Sequence, residues 1–251
     1  MKKIVSFDRP EIWENYDTEN SITRKTAIVK EYIPDGINTI IDIGCGNGII
    51  TNILNEEYNI TGVDLSPIAL SYVKGKKIVS SSDSIPVEDK SFDMVFSSEM
   101  LEHLPDEVLS KTVLEFKRVA RKYILITVPN HEHLATTYVK CRKCSNVFHP
   151  YGHLQSFTLT NLEDLFSGEF ELIKSGKYGN KKRYYNPLLL SIKNKMADRW
   201  FDVQSSVVCP NCHNDHFPKE KGNLISKACN LTNRLIGTKR EYWLFALFKR
   251  K

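Results

Sequence analysis

TIIDIGCGNGIITNILNEEYNITGVDLS, residues 39–66, is the stretch from which the rest of the chain is read. Thr39-Ile40-Ile41-Asp42-Ile43 is a short β-branched run of the kind that forms a strand buried on both faces. It breaks into Gly44-Cys45-Gly46-Asn47-Gly48. A helical pattern follows, with Ile49, Ile50, Ile53 and Leu54 on one side, and a second apolar run from Ile60 to Val63 ends on Asp64. Strand, glycine turn, helix, strand and terminal acid make the first βαβ unit of a nucleoside-binding α/β fold. The glycines let the backbone take positive φ and approach a ligand closely. A carboxylate at the end of the second strand can accept both hydroxyls of a ribose.

The glycine spacing separates two ligand classes. A dinucleotide fingerprint is G-x-G-x-x-G, with the pyrophosphate resting on the helix N-terminus. Here the turn reads G-C-G-N-G, and Asp42 stands two residues before it. An anion at that place repels a pyrophosphate and suits a ligand with a cationic amino group. IDIGCGNG followed by GVDLS resembles motifs I and II of the class I S-adenosylmethionine-dependent methyltransferases. The likeness continues through Phe92–Leu104 and Pro129-Asn130. It implies a Rossmann-like seven-stranded α/β sheet, with the cofactor S-adenosyl-L-methionine held by Asp42, Gly44, Cys45, Gly46, Asp64 and Leu65. It further implies that an acid just past the third strand, Asp83 beside Ser84, takes the adenine amine, with Ser82 and Asp89 as competitors, and that Glu99 faces the cofactor.

The chain has 251 residues, 41% hydrophobic and 26% charged, and a net charge of +5. That is enough for one large core with an elaboration. No apolar run approaches the roughly 18 residues of a membrane span. The N-terminus lacks the apolar segment of a signal peptide, so a cytoplasmic protein with no membrane insertion is expected. The charge permits an anionic substrate or nucleic acid without requiring either.

Taken in order, residues 1–38 read as an N-terminal helical cap, in which Tyr16 and Arg24 are candidates to line the cofactor site. Strands are expected at Lys76–Ser80, Phe92–Ser97, Tyr123–Val128, Phe170–Lys174 and Glu241–Lys249. Helices are expected from Ser66-Pro67 to about Lys74, from about Asp106 to Arg121 and near Leu159–Phe166. The methyltransferase core is then 39–175 with 238–251. Residues 176–237 form an insertion between strands six and seven, with helical segments at Leu188–Phe201 and Leu224–Ile236. In parallel α/β sheets the ligand lies at the carboxyl ends of the strands, which collects Asp42, Asp64, Asp83, Glu99, Glu102, His103 and Asn130 into one cleft.

Two further constellations carry chemistry. Cys141-Arg142-Lys143-Cys144 and Cys209-Pro210-Asn211-Cys212 are paired C-x-x-C turns, which in a reducing compartment point to a four-cysteine structural zinc site. It would join residues 141–150 to the insertion, with His149, His213 and His216 as substitute ligands. Cys45 and Cys229 stand alone and read as small buried residues. The second is Glu99-x-x-Glu102-His103, joined by His153 from beyond the fifth strand. Two carboxylates and two imidazoles suit a divalent ion such as Mg²⁺ or Mn²⁺. The pattern resembles the ubiquinone-pathway O-methyltransferases and the small-RNA 2′-O-methyltransferases. Without metal, His103 or His153 is a candidate general base.

The expected activity is therefore S-adenosylmethionine-dependent methyl transfer, to a hydroxyl of a small molecule or glycan precursor. One alternative is metal-assisted RNA 2′-O-methylation, to which the basic and aromatic run Lys181-Lys182-Arg183-Tyr184-Tyr185 is suited. The other is a non-catalytic zinc-knuckle interaction module on a methyltransferase scaffold.

Overall fold

The computed structural model describes residues 19–203 and 207–251. Tyr16 lies outside them. Seven strands form one twisted sheet: β1 (Thr39–Ile43), β2 (Asn59–Asp64), β3 (Lys76–Val79), β4 (Phe92–Ser98), β5 (Ala120–Pro129), β6 (Phe170–Arg183) and β7 (Lys239–Arg250). Their spatial order is β3-β2-β1-β4-β5-β7-β6. The first five are parallel, and β7 is antiparallel to both its neighbours. This is the α/β Rossmann-like methyltransferase fold, with the chain reversing sheet direction at β1 and opening a crevice at the strand ends.

Alternation along β1 supplies both layers. Ile41 and Ile43 pack toward helices α4 (Asp106–Val119) and α5 (Leu159–Phe166). Ile40 packs on the opposite face with Ile28, Val29 and Tyr32 of α1 (Glu19–Tyr32) and Leu54 of α2 (Ile49–Leu54). Helix α4 buries Leu109, Val113 and Phe116 at helical spacing, with acids in its first turn and Lys117 and Arg118 in its last, matching the helix dipole. Phe116 stacks on Phe166 of α5 with centroids 6.5 Å apart, and Phe166 meets Phe248 of β7 at 4.9 Å. Helix α5 starts in a reciprocal cap: Asn161 N–H donates to Thr158 Oγ1 and Thr158 N–H to Asn161 Oδ1. The helix after Ser66 is a single turn, α3 (Pro67–Leu70), shorter than its sequence pattern suggests.

The sixth strand departs most from expectation. It continues past Lys174 to Arg183 and pairs with β7 as far as Lys239. The SGKYGNKKR stretch is polar because it forms the sheet's outer edge, where charged side chains discourage pairing with other chains. The insertion therefore spans residues 184–238, closed at its neck by Tyr184 N–H donating to Thr238 O at 2.8 Å. It contains α6 (Pro187–Ser191), a π-helical turn at Ile192–Met196, and α7 (Leu224–Ile236). The expected helix to Phe201 stops at Met196 instead. Among the described residues no helix is long and apolar enough to cross a membrane.

Candidate functional site

The glycine turn sits on the crevice between β1 and α2. The N–H groups of Gly44 and Cys45 both donate to Val63 O, at 2.7 and 3.1 Å, which clamps the turn onto β2. Gly44 has φ 77°, and a Cβ there would lie 2.2 Å from Met100 Cγ. Gly46 has φ 56°, and its N–H donates to Asp64 Oδ2 at 2.9 Å. Asp64 Oδ1 accepts from Ser66 N–H, also at 2.9 Å. Burial pushes the Asp64 carboxyl up, and these backbone donors oppose the rise. The carboxylate is thus fixed by backbone donors from Gly46, Leu65 and Ser66, and its two oxygens can also accept from hydroxyl donors. Next to it Leu65 stands 69% exposed, an apolar side chain at the mouth of the turn.

Asp42 is buried on the α1 side of β1. Thr51 Oγ1 donates to its Oδ2 at 2.6 Å, while Oδ1 has no hydrogen-bond partner among the described residues. Burial, only partly offset by Thr51, raises this carboxyl to about 7. The Cys45 thiol is pushed up by its own burial, so it is a neutral packing group; its Sγ lies 3.7 Å from Gly46 O. An unpaired buried carboxylate oxygen beside a turn with no room for side chains fits a cationic, nucleoside-bearing ligand.

Asp83 and Ser84 lie in the turn after β3. Ser80 N–H donates to Asp64 O at 3.0 Å, which starts that turn beside the end of β2. Ser81 Oγ donates to Asp83 Oδ1, and Ser84 is exposed. Glu99 follows β4 with φ 52°. Its Oε1 is 3.2 Å from Lys25 Nζ and accepts from Thr127 Oγ1 at 3.4 Å. Lys25 is buried and also lies 5.2 Å over the Trp243 ring, whereas Arg24 is exposed. The inward cation of α1 is therefore Lys25, one residue on from the candidate Arg24. Asn130 does not face an open cleft. Its N–H donates to Tyr242 O and its Nδ2 to Glu241 O, which ties the end of β5 to β7.

Glu102 and His103 lie on a 3₁₀ turn, Leu101–His103, directly after β4. Glu102 is 1% exposed, and neither of its carboxyl oxygens has a hydrogen-bond partner among the described residues. Burial, reinforced by Glu99, pushes this carboxyl well up. His153 meets His103 edge-on, with ring centroids 4.8 Å apart. It is held there because Leu154 and Gln155 donate backbone N–H groups to Glu102 O at 2.7 and 3.0 Å. Burial and His153 together push the His103 imidazole down to about 3, so it is neutral with a lone pair to offer. One ligand atom each from Glu102, His103 and His153 falls within 4.8 Å of the others. Glu99, engaged by Lys25, does not join this cluster.

A second trio was not foreseen from the sequence: Glu132, His149 and His153. Glu132 Oε2 is 2.5 Å from His153 Nδ1, and Oε1 is 3.5 Å from His149 Nε2. Burial opposes ionisation of Glu132, but its hydrogen bonds to the two histidines outweigh it and hold the carboxyl down to about 2. The His149 and His153 rings stack with centroids 4.5 Å apart. His149 also accepts His153 N–H on Nδ1 at 3.2 Å and meets Thr137 Oγ1 at 2.6 Å through Nε2. Its place as a substitute zinc ligand is therefore taken by other contacts. The signal for the trio was the histidine-rich stretch from His131 to His153, in which Glu132 is the one acid.

Cys141, Cys144, Cys209 and Cys212 come together, each offering a sulfur within 4.8 Å of the other three. Cys229 is buried on α7, away from this group, and all of these cysteines are free thiols.

Comparisons with known proteins agree with the fold. Residues 41–125 match the family model described as a methyltransferase domain. Ubiquinone biosynthesis O-methyltransferase of Hydrogenovibrio crunogenus is 30% identical over 93 residues, 33% of this chain and 39% of that protein. The chloroplastic tocopherol O-methyltransferase of Arabidopsis thaliana is 32% identical over 111 residues, 39% of this chain and 31% of that protein. The first curated relatives are thus matched over 29% to 39% of their own length. Among solved structures, a Pyrococcus horikoshii OT3 protein superposes with a TM-score of 0.59 at 14% identity, covering 96% of this chain and 95% of its own. A SAM-dependent methyltransferase from Archaeoglobus fulgidus gives 0.52 at 19% identity, covering 92% and 95%.

Proposed function

We propose that this chain is a class I S-adenosylmethionine-dependent methyltransferase that methylates a hydroxyl of a small molecule or glycan precursor. The observation that carries the donor assignment is the joint placement of Asp64, bridged to Gly46 N–H, and the unpaired buried Asp42 oxygen on either side of one glycine turn. In this reading Asp64 takes the ribose hydroxyls, Asp42 the ligand's ammonium, and Leu65 with Asp83 and Ser84 the adenine. When bound, S-adenosylmethionine supplies a methyl group on an already activated sulfonium. The chain then has to align an oxygen with that methyl, exclude water and accept the hydroxyl's proton.

The acceptor end of the cleft falls to Glu102, His103 and His153. A carboxylate with two unpaired buried oxygens beside two imidazoles is the donor set of a divalent ion of the Mn²⁺ type, more than of Mg²⁺, which prefers oxygen ligands. Such an ion lowers the pKa of a hydroxyl it binds. His103, held neutral by burial, would serve such an ion as a ligand. His153 presents Nε2 because its Nδ1 is occupied by Glu132, an arrangement that orients an imidazole for either metal or proton. The four cysteines are read as a structural zinc site, since four thiolates leave no open position for chemistry.

Small hydroxylated acceptors are favoured over RNA by the state of the basic and aromatic run. Arg240 covers the Tyr184 ring at 4.6 Å, His133 stacks on it at 5.4 Å, and Lys193 Nζ lies 5.3 Å over the Tyr185 ring. These rings already have partners within the chain and are not free to stack bases. The O-methyltransferase names of the relatives point the same way by analogy.

Radiolabelled methyl transfer tests the reading directly. Wild type, Glu102→Gln and Asp64→Ala would be offered phenolic, catecholic, glycan and RNA acceptors with Mn²⁺ present. Label entering low-mass hydroxyls, and lost in both variants, is expected. Label entering RNA alone would move the assignment to the RNA alternative. A wild type that binds the donor and labels nothing would turn the reading toward a non-catalytic module.

A further inference from the structure

The two C-x-x-C turns, nearly seventy residues apart, have one backbone conformation. In the first, Cys141 N–H donates to Asn146 O at 2.9 Å and Ser145 N–H to Cys141 O at 2.8 Å. In the second, Cys209 N–H donates to Asn214 O at 2.8 Å and His213 N–H to Cys209 O at 3.0 Å. Ser145 and His213, each directly after a second cysteine, are left-handed with φ 61° and 57°. Both sequences read C-x-x-C-x-N. The sulfurs interleave across the two turns: Cys141 Sγ is 3.6 Å from Cys212 Sγ, and Cys144 Sγ is 3.6 Å from Cys209 Sγ. A tetrahedral ion with Zn–S bonds of about 2.3 Å sets its sulfurs about 3.8 Å apart, which this arrangement meets. A disulfide would need about 2.05 Å.

The first turn is also the tip of the arm that carries the acceptor-site histidines. Val139 and Lys140 pair with Phe148 and Val147 in a two-residue antiparallel ladder. Both legs of that ladder run straight into the cluster. On the incoming leg, Thr137 Oγ1 holds His149 Nε2, and the Tyr138 ring meets His149 edge-on at 6.2 Å. On the outgoing leg His149 follows Phe148 directly, and His153 is four residues further. Beneath the ladder, Val139, Cys141, Phe148, Val203 and Cys209 form a small core separate from those of the sheet. Five buried residues are too few to hold a fold without a staple. The insertion grips the same leg: Phe201 N–H donates to Tyr138 O at 3.0 Å, and Arg142 Nη1 reaches Asp198 Oδ2 at 2.5 Å.

We propose that a zinc ion bound by Cys141, Cys144, Cys209 and Cys212 positions the histidine arm, residues 147–153, so that loss of the ion withdraws His149 and His153 from Glu102 and His103 while the methyl-donor site stays intact. The proposal rests on the reading of Glu102, His103 and His153 as the acceptor site. The two sites depend on different parts of the chain. The donor turn is held by β1, β2 and α2, whereas His149 is held by the ladder and Glu132, and His153 by Glu132 and by the Leu154 and Gln155 N–H groups that donate to Glu102 O. Binding of the ion closes a loop of more than sixty residues and orders an arm with little core of its own.

The test compares zinc-loaded protein with protein depleted by a chelator and with Cys209→Ser and Cys212→Ser variants. Four quantities are measured: zinc content, the proton NMR signal of the His153 imidazole N–H, donor affinity and far-ultraviolet circular dichroism. The imidazole signal, shifted downfield by Glu132, is assigned by its loss in Glu132→Gln. One zinc per chain is expected, with the His153 signal present when zinc is bound and lost on depletion. Donor affinity should change by less than about twofold, as for independent sites. Absence of stoichiometric zinc, absence of the signal from zinc-loaded protein, or its persistence after depletion would each overturn the proposal. So would joint loss of helix content and donor affinity on depletion, which would make the ion a support of the whole domain. If zinc-loaded protein binds no donor but its His153 signal still follows zinc, the methyltransferase reading fails and the clamp stands.

Discussion

At the scale of single residues, Asp42 shows how a site can be recognised by what it lacks. Its Oδ1 is buried without a partner, and its carboxyl is raised to about 7. A cationic ligand group needs the ionised form, so donor affinity should strengthen about tenfold between about pH 6 and about pH 8. Calorimetric titration at the two pH values measures this, and Asp42→Asn should bind weakly at both. Stability has the opposite sign. The folded pKa lies above the unfolded value of 3.8, so the folded state holds the proton more tightly between those limits. The ligand-free wild type should therefore lose stability relative to Asp42→Asn as pH rises through that window and show no further loss above it. Thermal melts of both proteins across pH give the comparison. The sequence singled out Asp42, Asp64, Glu102, His103 and His153 because motif spacing and strand ends point to them. It did not single out Glu132 or Lys25. Each acts through partners brought in from other segments, Glu132 through His149 and His153 and Lys25 through Glu99 and Trp243, and none of these pairings has a periodic signature.

Elements are most legible in the sequence where burial and turn chemistry coincide. β1, β2 and β4 are apolar runs bounded by turns, and α7 emerges with the expected limits because its buried positions recur at helical spacing. The expected sixth strand ends at Lys174 because the second half of β6, residues 175–183, is charged and largely exposed and carries no apolar run. The glycine turn makes the sharpest element-level prediction. Gly44→Ala places a Cβ at positive φ and into Met100, at a cost of about 1–3 kcal/mol in backbone strain alone. It should lower the melting temperature and weaken donor binding together. In the packed layer between α4, α5 and β7, Phe166→Ala should cost about 3–5 kcal/mol, since Phe166 is fully buried between Phe116 and Phe248. Its donor affinity below the melting transition should be unchanged, which denaturant titration and calorimetry can separate.

Across the whole molecule the two ends of the cleft have different foundations. The sheet and its two flanking layers fix the glycine turn, and the β5 end, the cysteine ladder and the insertion fix the histidine arm. The methyltransferase-domain match, residues 41–125, takes in the glycine turn, Glu102 and His103 and ends before the histidine arm. The family match therefore does not extend to Glu132, His149, His153 or the four clustered cysteines. A ligand that binds only the folded chain stabilises it by about 2.7 kcal/mol at a hundred times its dissociation constant. For a chain of this size that corresponds to a rise of roughly 5–10 °C in melting temperature. S-adenosylmethionine should produce such a rise in wild type and none in Asp64→Ala.

The most direct measurement is calorimetric titration of S-adenosylmethionine into folded wild type and Asp64→Ala at about pH 8, where Asp42 is ionised. One donor per chain in wild type, with affinity lost in the variant while its circular dichroism is unchanged, is the predicted result. A folded wild type that takes up no S-adenosylmethionine would contradict the account.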